Sequence, residues 1–197
     1  MSGTNTARPD NGLDHLVLPF DAASFPSNLT PPPLKPRFLF RLQARLEGRP
    51  PVIGLGGAGV RLIVPVLGGQ LVSHPEKSYA ADVQLQGSKA FDGGRVIKGG
   101  ADYLRRTEDG IFWPTAHYAI VLTSGHYMYV NSEGTRVISP DAVDPKNPQP
   151  HEMMFRLRMK LESDDPDADV QKACKGIVVT SAVRGPDGIA FDAYLME

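Results

Sequence analysis

Residues 99–134 read GGADYLRRTEDGIFWPTAHYAIVLTSGHYMYVNSEG, and this stretch decides the architecture. It holds two tight-turn dipeptides, Asp109-Gly110 and Ser124-Gly125, each flanked by runs rich in Tyr, Val, Ile and Thr. Such dipeptides suit tight hairpin loops, and β-branched and aromatic residues fit a pleated surface. The segment therefore reads as a meander. RVIKGGADYLRR and the residues after Gly110 form one strand pair, and HYAIVLTS with HYMYVNS forms the next. Its polar content is unusual for a plain sandwich: Asp102, Tyr103, His117, Tyr118, Tyr127, Tyr129 and Asn131 stand where Val and Ile would serve.

Working outward, FLFRLQARL alternates with period two, setting Phe38, Phe40, Leu42, Ala44 and Leu46 on one face and Arg41, Gln43 and Arg45 on the other. RLIVPVLGGQLV follows a Gly-rich turn, and its Pro65 marks an edge, a bulge or a strand end. SHPEKSYAADVQLQGSKAFDGG reads as a loop with a short strand at DVQLQ. MMFRLRMKLE alternates again, and GIVVTSAVRGPDGIAFDAYLM is a hairpin turning at residues 184–188. SDDPDADVQKAC supplies the one short helix, with Asp164 or Asp165 as its cap before Pro166. Roughly eight to ten short strands with hairpin spacing leave a sandwich or a barrel. Apolar strands such as GIVVTSAV favour closure, which hides their edges. The expected fold is all-β: a single antiparallel β-barrel over 37–197, at most one short helix, and an irregular Pro-rich N-terminal arm over 1–36.

Bulk properties agree with one such domain. The chain has 197 residues, 41% hydrophobic and 22% charged, with 20 Gly and 18 Pro and no triplet period. A net charge of -1 argues against nucleic acid or anionic lipid as partner. The single Cys174, the lack of an apolar leader in MSGTNTARPDNG and the lack of a long apolar run point to a soluble cytoplasmic protein. No fixed-period repeat supports a propeller or solenoid.

Four segments carry a family resemblance: RLIVPVLGGQ, the 99–134 stretch, MMFRLRMKLE and GIVVTSAVRGPDGIAFDAYLM. Together they resemble domain of unknown function family 3237, whose members are small antiparallel barrels related in shape to allene oxide cyclase. The family's Gly-Gly-Ala-Asp-Trp matches Gly99-Gly100-Ala101-Asp102-Tyr103, with a phenol in place of the indole. Its Ala-Arg-Tyr matches Ala116-His117-Tyr118, its Val, Asn and Gly pattern matches Val130, Asn131 and Gly134, and its Phe-Arg pair matches Phe155-Arg156. Its Trp-Leu-Asn element is absent, and Lys172-Ala173-Cys174 stands near that place.

The candidate chemistry lies in the same segments. Asp102, if it faces the lumen, is desolvated and becomes a general acid or base; otherwise it ties down a turn. Its partner is His117 or Tyr118, and strand parity allows only one of the two to face inward. Tyr103, Tyr129, Asn131 and Arg156 are the candidate substrate-binding residues, the phenols and amide to orient a carbonyl and the guanidinium to hold a carboxylate. The five histidines lack metal-ligand spacing, so no metal is expected. The glycines of Gly54–Gly59 precede a strand pattern instead of a helix, so no dinucleotide cofactor is expected either. The expected function is a cofactor-independent enzyme acting on a small hydrophobic organic molecule by isomerisation, cyclisation or lyase chemistry. The alternatives are a non-catalytic carrier barrel and a structural homo-oligomer, such as a dimer.

Overall fold

The computed structural model describes residues 31–75, 85–145, 148–185 and 188–197. Its strands are β1 (Pro36–Leu46), β2 (Val52–Gly54), β3 (Val60–Val72), β4 (Arg95–Val96), β5 (Ala101–Arg106), β6 (Phe112–Trp113), β7 (Thr115–Val121), β8 (Tyr127–Ile138), β9 (Met153–Ser163), β10 (Ile177–Arg184) and β11 (Gly188–Met196). All pairings among them are antiparallel. The sheet closes because β1 pairs with both β11 and β3, while β4 and β5 each bridge β3 to β7. The result is the expected all-β barrel, with one helix, α1 (Ala168–Lys175), among the described residues. No helix of the described residues is long and apolar enough to cross a membrane.

Of the expected arm, residues 1–30 lie outside the described residues. The ladder is already engaged at Lys35, whose N–H donates to Glu197 O at 2.8 Å and whose carbonyl accepts from Glu197 N–H at 3.0 Å. The short strand at DVQLQ also falls mostly outside, and Leu85 and Gln86, the two described residues of it, are not in a strand. The turning residues Pro186 and Asp187 are likewise not described.

Four local expectations are corrected. RVIKGGADYLRR is two strands, β4 and β5, broken at Gly99-Gly100. Gly100 has φ +81°, and a Cβ there would lie 2.2 Å from the carbonyl oxygen of His117. The break lets the chain step between pairing positions on β3 and β7. Gly100→Ala is therefore expected to cost about 2–3 kcal/mol through left-handed strain and the clash, read as a lowered melting temperature. Second, a bulge between Phe38 and Phe40 removes Phe38 from the Phe40 row. Phe38 meets Tyr194 edge-on at 5.6 Å, while Leu39 and Phe40 are both fully buried. Third, of the alternatives for Pro65 the strand end is excluded: it sits inside β3 where partners change, with β5 pairing up to Pro65 and β1 pairing from Val66, and the β1–β3 register shifts just beyond it, between Val66 and Gly68. A residue without N–H fits that junction, and its carbonyl still accepts from Glu47 N–H at 3.0 Å. Fourth, the helix cap is Asp167, whose carboxylate accepts from Asp169 N–H at 2.8 Å and Val170 N–H at 3.3 Å. Pro166 precedes the cap instead of opening the helix.

The interior has two ends of different character. Around Phe40 and Phe91, whose rings lie 4.9 Å apart, Leu71, Ile120, Met128 and Leu161 are fully buried inside the barrel. Val170 and Ala173 of α1 belong to the same core. At the other end, near the end of β5 and the ends of β8 and β10, the lumen opens into a cavity.

Candidate active site

Strand parity selects what reaches the lumen. Directly opposed residues of an antiparallel pair share a face. Asp102 opposes Ala116, and Tyr118 opposes Val130, whereas His117 opposes Asn131 and Ala119 opposes Tyr129. One face thus carries Asp102, Ala116, Tyr118 and Val130 inward. The other carries Tyr103, His117, Tyr129 and Asn131 outward.

On the outer face His117 Nδ1 and Tyr129 Oη share a 2.7 Å hydrogen bond, and Tyr103 packs edge-on to His117 at 6.3 Å. Tyr103 and Tyr129 are both exposed. Arg156 also points out, because β9 buries Met153, Phe155, Leu157, Met159 and Leu161 on its inner side. Tyr103, His117, Tyr129, Asn131 and Arg156 therefore do not line the cavity, contrary to their expected roles. Of the expected residues, the fold brings Asp102 and Tyr118 together.

The cavity measures about 570 Å³ and is walled by Leu62, Leu104, Phe112, Ile138 and Phe155, with Asp102, Arg136 and Arg184 as polar members. Arg106 also borders it and is exposed to water. A second, narrow apolar space of about 30 Å³ is lined by Tyr118 and Ser132, and Asp102 borders both spaces. That volume suits a small organic ligand.

Asp102 Oδ1 accepts a hydrogen bond from Thr115 N–H at 3.0 Å. Burial nevertheless pushes its carboxyl up to about 6, against smaller opposing pulls from the Thr115 bond, Arg184 and Arg136. Burial pushes the Tyr118 phenol well above its ordinary value, and the Asp102 charge adds to this. Ser132 pulls weakly the other way, yet its hydroxyl does not complete a hydrogen bond, and Tyr118 Oη is buried without a partner. The phenol therefore stays protonated at any physiological pH.

Arg136 lies with its guanidinium 3.8 Å from the Phe112 ring centroid and 5.9 Å from that of Phe155. A cation over an aromatic face at this distance is attracted to the ring. Burial brings Arg136 down to about 10 and also lowers Arg184, so both remain cationic at neutral pH. Arg136 Nε is buried with no hydrogen-bond partner. Among the described residues neither arginine makes a salt bridge.

These two arginines were missed in the sequence, although a signal for them exists. Met128, Val130 and Ser132 are buried on β8, and counting on by two reaches Arg136; Val178, Thr180 and Ala182 lead the same way to Arg184 on β10. A cation in phase with an apolar face is the mark of a charge turned inward. Cys174, on α1, is half-buried with its thiol pushed up by burial and has no part in the cavity.

The family described as Protein of unknown function (DUF3237) matches residues 33–196. The chain belongs to this family. A relative in Rhodopseudomonas palustris strain TIE-1, described as a UPF0311 protein, is 27% identical over 83% of this chain and 97% of its own length. Among solved structures, the conserved protein of unknown function RPA1785 from R. palustris superposes with a TM-score of 0.67 at 26% identity, covering 85% of this chain and all of that one (100%). A β-barrel-like protein from Acinetobacter baumannii AYE superposes at 0.67 and 22% identity over 86% of this chain and 99% of its own. A protein described as an enzyme from Penicillium herquei superposes at 0.57 and 15% identity, over 85% and 98%. The last two likenesses show the fold alone. Asp102, Tyr118, Arg136 and Arg184 all fall within the residues that the DUF3237 family matches.

Proposed function

We propose that this protein is a cofactor-independent enzyme that relocates a proton on a small organic molecule inside its barrel, in an isomerisation, cyclisation or lyase step. The observation that carries the reading is Asp102: a carboxyl that borders both the cavity and the narrow apolar space, with its pKa raised to about 6. A group titrating there is mostly ionised at neutral pH, accepts a proton as a base and returns it readily as an acid. Tyr118, which lines the narrow apolar space beside Asp102 and stays protonated, serves as the neutral phenol donor. Arg136 and Arg184 provide fixed positive charge where electron density builds on oxygen. All three effects need the site to be dry, and the apolar walls serve that end.

Carriage of a hydrophobic metabolite is less well supported. An apolar lumen alone would bind such a ligand, whereas burying a carboxyl and two guanidiniums costs stability that carriage does not require.

The test is capture from a metabolite extract by wild type and by Asp102→Asn, followed by chromatographic and mass comparison of the bound species. Catalysis predicts that the variant retains an unconverted compound and that wild type holds or releases its isomer or fragment. Recovery of one unchanged compound from both proteins would favour the carrier.

A further inference from the structure

We infer that the molecule processed in this cavity is a monoanionic organic acid, a carboxylate or an acidic enol, whose charged oxygen lies between Arg136 and Arg184 and whose apolar body lies on Leu62, Leu104 and Ile138. The reaction it undergoes rests on the proton-transfer reading above, but the charge of the ligand rests on separate observations. The first is the arginine pair itself. Two guanidiniums border one cavity, and among the described residues neither has a salt-bridge partner. The second is the placement of Arg136, whose guanidinium carbon lies 3.8 Å from the Phe112 ring centroid, so that the ring supports the group at the cavity wall. A planar guanidinium fork matches the two oxygens of a carboxylate or of an enolised dicarbonyl.

Charge balance selects a monoanion. With Asp102 ionised, the inward-facing groups among the described residues carry two positive charges and one negative, and a ligand with one negative charge brings that set to neutrality. A neutral ligand leaves a buried cation uncompensated, and a dianion overshoots. Arg106 stands at the water-exposed rim, where solvent screens it.

The same balance holds through the reaction. The Asp102 carboxylate takes a proton from a carbon beside a carbonyl of the ligand. The C–H electron pair becomes the C=C bond of an enolate as the carbonyl π pair moves onto oxygen. Asp102 is then neutral and the ligand carries two negative charges, which the two guanidiniums match. Return of the proton to a different carbon completes an isomerisation. No electron is gained or lost.

The experiment compares benzoate with benzamide, a neutral molecule of the same shape, by calorimetric titration of the wild-type protein. Benzoate is expected to bind at least about tenfold more tightly, as charge-assisted hydrogen bonds to a buried guanidinium require, and to weaken as salt is raised. Arg184→Gln should remove that preference while leaving benzamide unchanged, and Arg184→Lys should restore part of it. Asp102→Asn should tighten benzoate several-fold by removing a like charge. Equal affinity of the two probes for wild type, or no binding of benzoate, overturns the inference without recourse to any variant. The two readings fail separately. An anion preference with no conversion difference between wild type and Asp102→Asn sinks the proton-transfer reading alone; a conversion difference with no anion preference sinks this one alone.

Discussion

Asp102→Asn is expected to lower turnover by about 10²- to 10⁴-fold, the range that loss of a positioned general acid or base produces. The amide keeps an oxygen to accept from Thr115 N–H, so the local structure has no reason to change. Wild-type kcat/KM should fall on the acid side with a midpoint near the Asp102 value of about 6, and this limb should vanish in the residual activity of the variant.

The same substitution should stabilise the protein. Burial raises the folded-state pKa of Asp102 from 3.8 to about 6, so the folded state holds this proton more tightly than the unfolded chain does. The stabilising effect of protonation is therefore complete below about pH 4 and is lost as pH rises to about 6. Above that, the ionised carboxyl costs about 3 kcal/mol, by the equivalence of one pKa unit to about 1.4 kcal/mol. Asp102→Asn should then raise the melting temperature at pH 8 and leave it nearly unchanged at pH 4. A variant that loses activity and gains stability marks a residue kept for function.

Phe40→Ala is expected to have the largest effect on stability, about 3–5 kcal/mol. Phe40 is fully buried, and its ring meets Phe91 at 4.9 Å in the filled end of the barrel. The gap would be hard to close. The residues around it sit on ladders fixed by pairing on both sides, with Leu42 opposite Leu71 and Ile120 opposite Met128. For a chain of this size such a loss lowers the melting temperature by about 10 °C, measurable by thermal denaturation. The outcome also separates the two ends of the lumen, since removing a side chain from the cavity end, as in Leu62→Ala, should cost far less. Leu62 is half-buried and already borders open space.

How much of this was legible in the sequence depends on which rule each residue obeys. Strand existence followed from alternation, and MMFRLRMKLE is buried and exposed in strict turn along β9. Closure followed from the number of apolar strands that would otherwise show edges. The bulge at Phe38–Phe40 was hidden, because a bulge breaks the alternation without changing the residue types. Gly99-Gly100 invited a strand reading for the same reason: the close approach to the His117 carbonyl is a tertiary fact.

The site was half legible. Parity along one strand showed that His117 and Tyr118 exclude each other, but the register between strands was needed to say what each stands beside. With His117 opposite Asn131 and Tyr118 opposite Val130, choosing Tyr118 for the lumen sends Tyr129 and Asn131 outward. Tyr127, Tyr129 and Asn131, which share one face of β8, thus lie on the outer surface. Arg136 and Arg184 escaped notice because each lies at the end of an inward apolar row, where a cation reads as the place the strand meets water.

The central claim is that Asp102 carries the exchangeable proton of the cavity. Carbon-13 NMR titration of its side-chain carboxyl in the wild-type protein tests it most directly, with Asp102→Asn to assign the resonance. A midpoint near 6 is the expected result. A midpoint at or below the ordinary 3.8 would mean that the carboxyl is held as a permanent anion by its neighbours, and that it moves no proton at neutral pH.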